Sequence, residues 1–261
     1  MKRPRMSTVT KITGVAAAAA LLAGGAYAWA GEPVSTSDGR PGGGPEPTNL
    51  GLVKTEILEY YGDVEDEDGH HHASPDSDWA EDTARQIDKA RRDLQRALDQ
   101  DVRNPAIVLD VDDTSELTYG HNADHDFGYD PERFDEAIKN GEFPAIEPTV
   151  EFANFAAQNG VEVFFVTGRH EELRSVTLKN LASGGYPTPT EAVLKPDENP
   201  PDWLPCGLEC TTVEYKSSAR THLEDAYDVT IVVNMGDQLS DLEGGHAENT
   251  VKLPNPMYFI P

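Results

Sequence analysis

The sequence predicts an α/β fold, in which a doubly wound parallel sheet is covered by helices on both faces. From residue 106 onward, short apolar runs rich in β-branched residues alternate with stretches whose apolar residues recur at helical spacing. The runs are almost continuously apolar, which is typical of parallel strands buried on both faces. We therefore expect one domain over residues 49–261, with helices as the crossover connections between strands.

The predicted elements follow from these two patterns. The predicted strands span residues 106–109, 161–166, 192–194, 229–233 and 251–253. The predicted helices between and around them span residues 131–139, 147–159, 170–183 and 216–227. Two helices precede the first strand. Asn49 is a suitable N-cap for a helix that reaches Tyr61, and a second helix runs over residues 77–98.

The composition is that of an acidic protein of ordinary domain size. The chain has 261 residues, with 21 Lys and Arg against 47 Asp and Glu, and a formal net charge of -26. A domain typically has about 100–200 residues, so this length suits one large domain with tails. The negative charge repels phosphate backbones and anionic lipid, which argues against binding to nucleic acid duplexes or membrane surfaces. Small diffusible ligands are the expected partners.

The N-terminal segment has the organisation of a secretory signal peptide. Basic residues precede an Ala-rich apolar run from Ile12 to Ala28, and small residues close it. We expect residues 1–28 to be cleaved and the protein to be secreted. An uncleaved membrane anchor is the alternative, but the Ala and Gly content makes the run a weak membrane span, and no Cys follows it to carry a lipid. Residues 29–48, rich in Gly and Pro, are predicted to be a flexible linker.

Two groups of redox or metal-binding side chains lie outside the predicted strands. Cys206 and Cys210 are expected to form a disulfide in an oxidising compartment, with free thiols as the alternative, because a zinc site needs more ligands. His70, His71 and His72 follow an acidic run between the two N-terminal helices. We expect a solvated surface loop there, since consecutive loop residues make a poor preformed metal site. Transition-metal binding is the alternative.

Polar clusters follow three of the predicted strands. They are Asp110-Val111-Asp112-Asp113-Thr114, Thr167-Gly168-Arg169 and Gly236-Asp237-Gln238-Leu239-Ser240-Asp241. In open parallel sheets, ligands bind beyond the carboxyl ends of the strands. The three clusters are therefore candidates for one site.

The acidic side chains of these clusters suit phosphoryl transfer. A carboxylate at a strand end, held beside a divalent cation, can attack phosphorus, and Asp110 has that position. Asp112 can fold back over the site and act as general acid and base. Asp237 and Asp241 can complete the oxygen shell of Mg²⁺, which prefers a few carboxylates together with water and phosphate oxygens.

Hydrogen-bond donors and one cation complete the predicted site. The Thr167 hydroxyl and the Gly168 amide, expected at a helix N-terminus, can donate to phosphate oxygens. Lys216, expected to open a helix, is the best candidate for the cation that offsets charge on the transferring group. Each of these features alone is common in turns and on surfaces, but their order on one alternating β/α pattern favours a functional site.

In that order, the motifs resemble those of the haloacid dehalogenase (HAD) superfamily, and within it the secreted acid phosphatases, which include plant acid phosphatases, vegetative storage proteins and bacterial surface acid phosphatases. The resemblance rests on the Asp110 motif, Thr167-Gly168-Arg169, Tyr215-Lys216, the Gly236-Asp237 motif and Lys252-Leu253-Pro254-Asn255-Pro256-Met257-Tyr258. It covers residues 49–261 and implies a HAD-like core with a small helical cap.

The resemblance also implies roles for the site residues. Asp110 would form an aspartyl-phosphate, and Asp112 would be the acid and base while its backbone carbonyl binds Mg²⁺. The carboxylates of Asp110 and Asp237 would complete the protein ligands of the metal ion, and Asp241 would bind the ion directly or contact one of its ligands. Thr167 and Lys216 would hold the phosphate. Arg169 would take part in the site or form a structural ion pair.

The expected activity is secreted, Mg²⁺-dependent hydrolysis of small phosphomonoesters, at an acidic to neutral pH. Residues 120–143 would form the cap, where Phe127 and Tyr129 could stack on an aryl or nucleoside leaving group or pack the cap's own core. A small cap predicts an open site and a broad substrate range, with nucleotides among the candidates. The alternative is a non-enzymatic acidic protein that binds metal or a partner on the same fold, but the presence of Asp110 argues against a storage protein without a nucleophile.

Overall fold

Five parallel strands form the central sheet in the computed structural model of the chain, which describes residues 47–261. The strands in chain order are β1 (Val64–Glu65), β2 (His71–His72), β3 (Pro105–Leu109), β4 (Glu162–His170), β5 (Glu191–Lys195), β6 (Thr230–Gly236) and β7 (Thr250–Lys252). The central sheet has the order β5-β4-β3-β6-β7, while β1 and β2 pair as a separate antiparallel hairpin. The predicted signal peptide and nearly all of the predicted linker lie outside the described residues.

Helices connect the strands and cover the sheet. They are α1 (Leu50–Tyr61), α2 (Asp78–Asp99), α3 (Tyr119–Asp124), α4 (Pro131–Asn140), α5 (Glu147–Gln158), α6 (Arg174–Ser183), α7 (Thr212–Tyr227) and α8 (Leu239–Leu242). Two 3-10 turns lie at Glu171–Leu173 and Gly207–Glu209. The small helices α3 and α4 lie between β3 and α5, in the segment predicted to form the cap.

Side-chain alternation along β3 shows that both faces of the sheet are buried. Ile107 and Leu109 belong to a core cluster that includes residues of α2 and α5. Ala106 and Val108 point the other way, into a cluster with residues of α7. Successive side chains of a strand point to opposite faces, so a continuous apolar run requires a cover on each side. The predicted doubly wound α/β fold is confirmed.

Local capping signals explain where several helices begin. The Asn49 side chain accepts from the backbone amides of Gly51 and Leu52 at the start of α1, as predicted. Ser77 caps α2 in the same way. Thr211 and Glu214 form a capping box at the start of α7. These side chains satisfy backbone amides that have no partner within their own helix.

The structure corrects the sequence expectations at four places. β4 continues to His170, and α6 begins only at Arg174, so the helix predicted from residue 170 starts later. Because Thr211 caps α7, that helix begins four residues before the predicted start. The segment predicted as a solvated loop forms the hairpin β1–β2, with His71 half-buried. The short helices α3 and α8 were not predicted, because six and four residues are too few to show helical periodicity.

Candidate active site

Three buried carboxylates meet at the carboxyl edge of the sheet. Asp110 directly follows β3, Asp237 directly follows the neighbouring strand β6, and Asp241 lies in α8. One oxygen from each of the three carboxylates lies within 4.8 Å of the other two. A Cβ at Gly236 would lie 2.5 Å from the Cβ of Asp241, so glycine at this position allows α8 to bring its acid against the end of β6.

Lys216 is the cation that faces these carboxylates. Its Nζ lies 2.5 Å from Oδ1 of Asp110 and 2.9 Å from Oδ1 of Asp241, and it donates to the Val166 carbonyl at 2.7 Å. Three partners match the three donors of an ammonium group. The sequence placed Lys216 at the start of a helix, but the earlier start of α7 puts it in the second turn, which points it into the site.

The cluster carries more negative than positive charge. Burial raises the pKa of Asp110 well above its usual range, against the opposing effect of Lys216, and the charges of Asp241 and Asp237 raise it further. Burial and the Asp241 charge raise the pKa of Asp237 to about 7. Burial alone would lower the pKa of Lys216, but Asp110 and Asp241 raise it. One lysine therefore does not neutralise three carboxylates.

The donor set fits a hard divalent cation. Mg²⁺ binds carboxylate oxygens and keeps part of its shell for water and phosphate oxygens. Asp110, Asp237 and Asp241 offer such oxygens within one small buried volume. A divalent charge would also offset the excess negative charge of the cluster.

Side-chain amides hold Asp237 in place. Gln238 Nε2 and Asn255 Nδ2 each donate to Oδ2 of Asp237 at 2.7 Å. The Gln238 backbone amide donates to Oδ2 of Asp241 at 2.9 Å. Because these amides contact Oδ2 of Asp237 and Asp241, the Oδ1 atom of each acid remains for the carboxylate cluster. Sequence reasoning assigned no role to Gln238 or Asn255, although Asn255 lies in the C-terminal motif that carried the resemblance.

Asp112 contacts Arg169 and is not one of the three clustered carboxylates. Arg169 donates from Nη2 to Oδ1 of Asp112 at 2.6 Å and from Nε to both oxygens at 3.2 Å. The same Nη2 group donates to Oε2 of Glu116 at 2.7 Å. Arg169 and Glu116 are both buried, and Arg169 is thus an ion-pair partner of a predicted site residue. Glu116 was missed, because nothing in its local sequence indicates a buried acid.

Thr167 and Gly168 lie side by side near the end of β4. The Thr167 hydroxyl is buried and accepts from the Arg169 backbone amide at 3.1 Å. Gly168 is exposed and lies within the strand, so the expected helix N-terminus at its amide is wrong. The first α-helical turn after β4 begins at Arg174, beyond the 3-10 turn.

Asp113 is a further buried acid that sequence reasoning did not single out. It accepts from the backbone amide and hydroxyl of Thr118 and, at 2.7 Å, from the Tyr258 hydroxyl. Burial raises the pKa of Asp113 to about 6, although these donors oppose the shift. The contact with Tyr258 fastens the C-terminal segment to the loop that carries Asp110 and Asp112.

The two aromatic residues predicted for the cap have different environments. Phe127 packs against a core cluster that includes Tyr61, Trp79 and Tyr119. Tyr129 is 75% exposed. Burial has the largest effect on the pKa of its hydroxyl, which it raises, and the charges of Asp135 and Asp112 raise this pKa further. Of these two rings, that of Tyr129 is the exposed one.

Comparisons with known proteins relate this arrangement to a family. A family model described as HAD superfamily, subfamily IIIB (Acid phosphatase) matches residues 72–261. Acid phosphatase 1 of Solanum lycopersicum is 35% identical over 158 residues, which cover 59% of this chain and 58% of that protein. The Stem 28 kDa glycoprotein of Glycine max is 31% identical over 159 residues, covering 59% of each. The chain thus spans less than two thirds of the length of these relatives.

A solved structure has the same fold. The class C acid phosphatase from Bacillus anthracis superposes with a TM-score of 0.60 at 21% identity, and the match covers 80% of this chain and 86% of that one. The resemblance predicted from the motifs is confirmed. Because the family match takes in the whole central sheet and every motif at its carboxyl edge, the chain belongs to subfamily IIIB of the HAD superfamily, the acid phosphatase subfamily.

Proposed function

We propose that this protein is a secreted, Mg²⁺-dependent phosphomonoesterase with Asp110 as its nucleophile. The observation that carries the proposal is the buried cluster in which Lys216 contacts Asp110 while Asp237 and Asp241 lie alongside. A nucleophilic carboxylate needs nearby positive charge before it can approach a phosphate dianion. Lys216 provides part of that charge, and Mg²⁺ bound by the three acids would provide the rest.

The first step transfers the phosphoryl group to the protein. A carboxylate oxygen of Asp110 attacks phosphorus, the ester P–O bond breaks, and the leaving oxygen takes a proton from Asp112. In the second step Asp112 takes a proton from water, the water oxygen attacks phosphorus, and phosphate leaves with Asp110 restored. The contact with Arg169 fixes the orientation of Asp112 at the edge of the site. To act as the acid of the first step, Asp112 must carry a proton.

Three donors from two elements, β4 and α7, would hold the phosphate. They are the Thr167 hydroxyl, the Gly168 amide and the Lys216 ammonium. The Thr167 hydroxyl accepts from the Arg169 backbone amide, which leaves its own proton free to donate to a phosphate oxygen. The exposure of Gly168 supports access for a substrate from the solvent side.

The substrate class follows from the cap. Tyr129 presents an exposed ring near Asp112, where the leaving group would lie, and rings of this kind stack on aryl groups and nucleobases. The cap is formed by small helices, which supports an open site and a broad range of phosphomonoesters that includes nucleotides.

Secretion is supported by two features. Residues 1–28 have the pattern of a signal peptide. Cys206 and Cys210 form a disulfide, and such bonds persist mainly in oxidising compartments. Among residues 47–261, no helix has the length and apolar character needed to cross a membrane.

The test is phosphate release from para-nitrophenyl phosphate by the purified protein, with Mg²⁺ and with a chelator. We expect turnover that requires the metal and is lost in Asp110→Asn. Asp88→Asn, which alters an exposed acid of α2, is the matched control and should retain full activity. A folded, metal-loaded protein without turnover on a panel of phosphomonoesters would instead favour the binding function that the sequence left open.

A further inference from the structure

Five of the eight histidines of the chain line one cavity away from the carboxylate cluster. The cavity has a volume of about 440 Å³ and lies between the hairpin β1–β2, helix α3 and the segment after α4. Its histidines are His70, His71, His72, His121 and His125. Among the described residues, the lining of this cavity includes none of Asp110, Asp237 and Asp241.

His121 and His125 form a pair at helical spacing. They are four residues apart, with His121 within α3 and His125 just after its end, and their ring centroids are 4.5 Å apart. Residues at positions i and i+4 of a helix lie on the same face, which is the spacing by which one helix supplies two imidazoles to a metal ion.

Both imidazoles have a nitrogen lone pair available. His125 Nδ1 lies 2.7 Å from the His121 carbonyl oxygen, which can only accept, so Nδ1 carries the proton and Nε2 has the free lone pair. Within residues 47–261, the His121 ring has no hydrogen-bond partner.

Glu142 supplies a carboxylate to the same cavity. It is exposed and lines the cavity together with His121 and His125. The ligand atoms of His121, His125 and Glu142 do not all lie within 4.8 Å of one another among the described residues. The Glu142 carboxylate accepts from Asn140 at 3.0 Å, and as a ligand it would exchange this contact for the metal ion.

The hairpin brings a fourth donor. His70 Nδ1 lies 2.8 Å from Oδ2 of Asp124, which leaves Nε2 free. A carboxylate that holds the other ring nitrogen is the usual outer partner of a metal-binding histidine. The hairpin is fixed against α3, because the His71 amide donates to Oδ1 of Asp124 at 2.8 Å. A Cβ at Gly120 would lie 2.5 Å from the His71 carbonyl oxygen, so only glycine permits this approach.

We propose that this cavity binds one divalent transition-metal ion of the Zn²⁺ class, with His121 and His125 as the main ligands and Glu142 and His70 completing the site. Imidazole nitrogens suit Zn²⁺, Ni²⁺ and Cu²⁺, whereas an all-carboxylate cluster suits Mg²⁺. The chain therefore has two metal sites of different chemistry, and Mg²⁺ does not compete for the histidine site.

The test is calorimetric titration of the full chain with Zn²⁺ in a large excess of Mg²⁺. The excess is needed to hold the carboxylate cluster, because Zn²⁺ binds most protein sites more tightly than Mg²⁺ does. We expect one Zn²⁺ per chain and a loss of affinity of about 10-fold or more in both His121→Asn and His125→Asn. His246→Asn is the matched control, because His246 is an exposed histidine that contacts Glu224 at 2.8 Å outside the cavity. Its affinity should stay within about 2-fold of the wild type, a change that is small beside the loss of a ligand.

Further variants keep the proposal falsifiable. Circular dichroism establishes whether each variant is folded. If a histidine variant does not fold, Glu142→Gln replaces it as the test, because it changes an exposed position, and it should also weaken Zn²⁺ binding. Asp237→Asn should leave this Zn²⁺ affinity unchanged. Wild-type affinity in His125→Asn and Glu142→Gln, or loss of binding in Asp237→Asn, would overturn the proposal. The readout is binding, so the result is independent of phosphatase activity.

Discussion

The Nζ atom of Lys216 lies 2.5 Å from Oδ1 of Asp110, a residue 106 positions earlier in the chain. The contact joins the second turn of α7 to the end of β3. It is buried on both sides, and the same ammonium contacts Asp241. The positive charge is therefore held where an attacking carboxylate and an incoming phosphate would meet.

Lys216→Met should impair both activity and stability. The variant keeps the apolar stem but leaves buried carboxylates without their cation, which costs about 3–5 kcal/mol when one partner of a buried pair is removed. Loss of one group that stabilises transition-state charge typically lowers kcat about 10²–10³-fold. Urea unfolding and steady-state kinetics measure the two effects. Lys179→Met, at an exposed position of α6, is the control, and an unchanged kcat in Lys216→Met would contradict the assignment.

Without metal, Asp237→Asn should be more stable than the wild type at pH 8 and similar to it at pH 4. Burial raises the pKa of Asp237 to about 7, so the native state holds a proton there that the unfolded chain, with a pKa near 3.8, has lost. The contribution of Asp237 to the unfolding free energy of the wild type therefore falls as the pH rises from about 4 to about 7, by roughly 2–4 kcal/mol in total.

Chelator-treated protein unfolded in urea at several pH values gives this comparison. The control is Asp88→Asn, which should follow the wild type at every pH. A stability difference between Asp237→Asn and the wild type that does not change with pH would show that Asp237 is not a strained buried acid.

Added Mg²⁺ should make the wild type more stable than Asp237→Asn at pH 8, the reverse of the order expected without metal. A ligand that binds only the native state stabilises it by about 2.7 kcal/mol when present at 100 times its Kd. The wild type should gain this stabilisation, whereas Asp237→Asn, with one carboxylate replaced by an amide, should gain much less. Thermal unfolding with Mg²⁺ and with chelator measures the shift, and an equal Tm increase in both proteins would remove Asp237 from the metal site.

Arg169→Met should lower the stability of the protein because it leaves Glu116 as a buried charge without a partner. Removing one partner of a buried ion pair costs about 3–5 kcal/mol. The double variant Arg169→Met with Glu116→Gln should recover much of that stability, since no unpaired charge is left. It should not recover kcat, because Asp112 has still lost the group that orients it. Recovery of both quantities would mean that Arg169 acts only on stability.

Tyr129→Ala should raise KM for nucleotides and aryl phosphates but not for glycerol phosphate, which has no ring to stack. Phe127→Ala is the matched comparison, because Phe127 packs in a core cluster. That change should lower the unfolding free energy by about 1–3 kcal/mol and leave the ratio of the KM values unchanged. Equal effects of Tyr129→Ala on all substrates would argue against stacking.

Local patterns were enough to predict the five strands of the central sheet, the first two helices and the order of the motifs. Apolar runs and capping residues such as Asn49 act through neighbours only a few positions away, so they can be recognised in the sequence. The arrangement of strands then follows, because parallel strands end at one edge and bring Asp110 and Asp237 together.

Contacts between distant segments were decided by the tertiary structure. Arg169 had two possible roles in the sequence, and its pairing with Asp112 and Glu116 depends on how β4 packs beside β3. Phe127 and Tyr129 were equivalent as aromatic residues, but the packing of α1 and α2 buries one and leaves the other exposed. The fold class and the available chemistry could be predicted from the sequence alone, since both depend on side-chain type and local spacing. Only the packed chain decided which charges and rings meet, because burial and pairing depend on residues far apart in sequence.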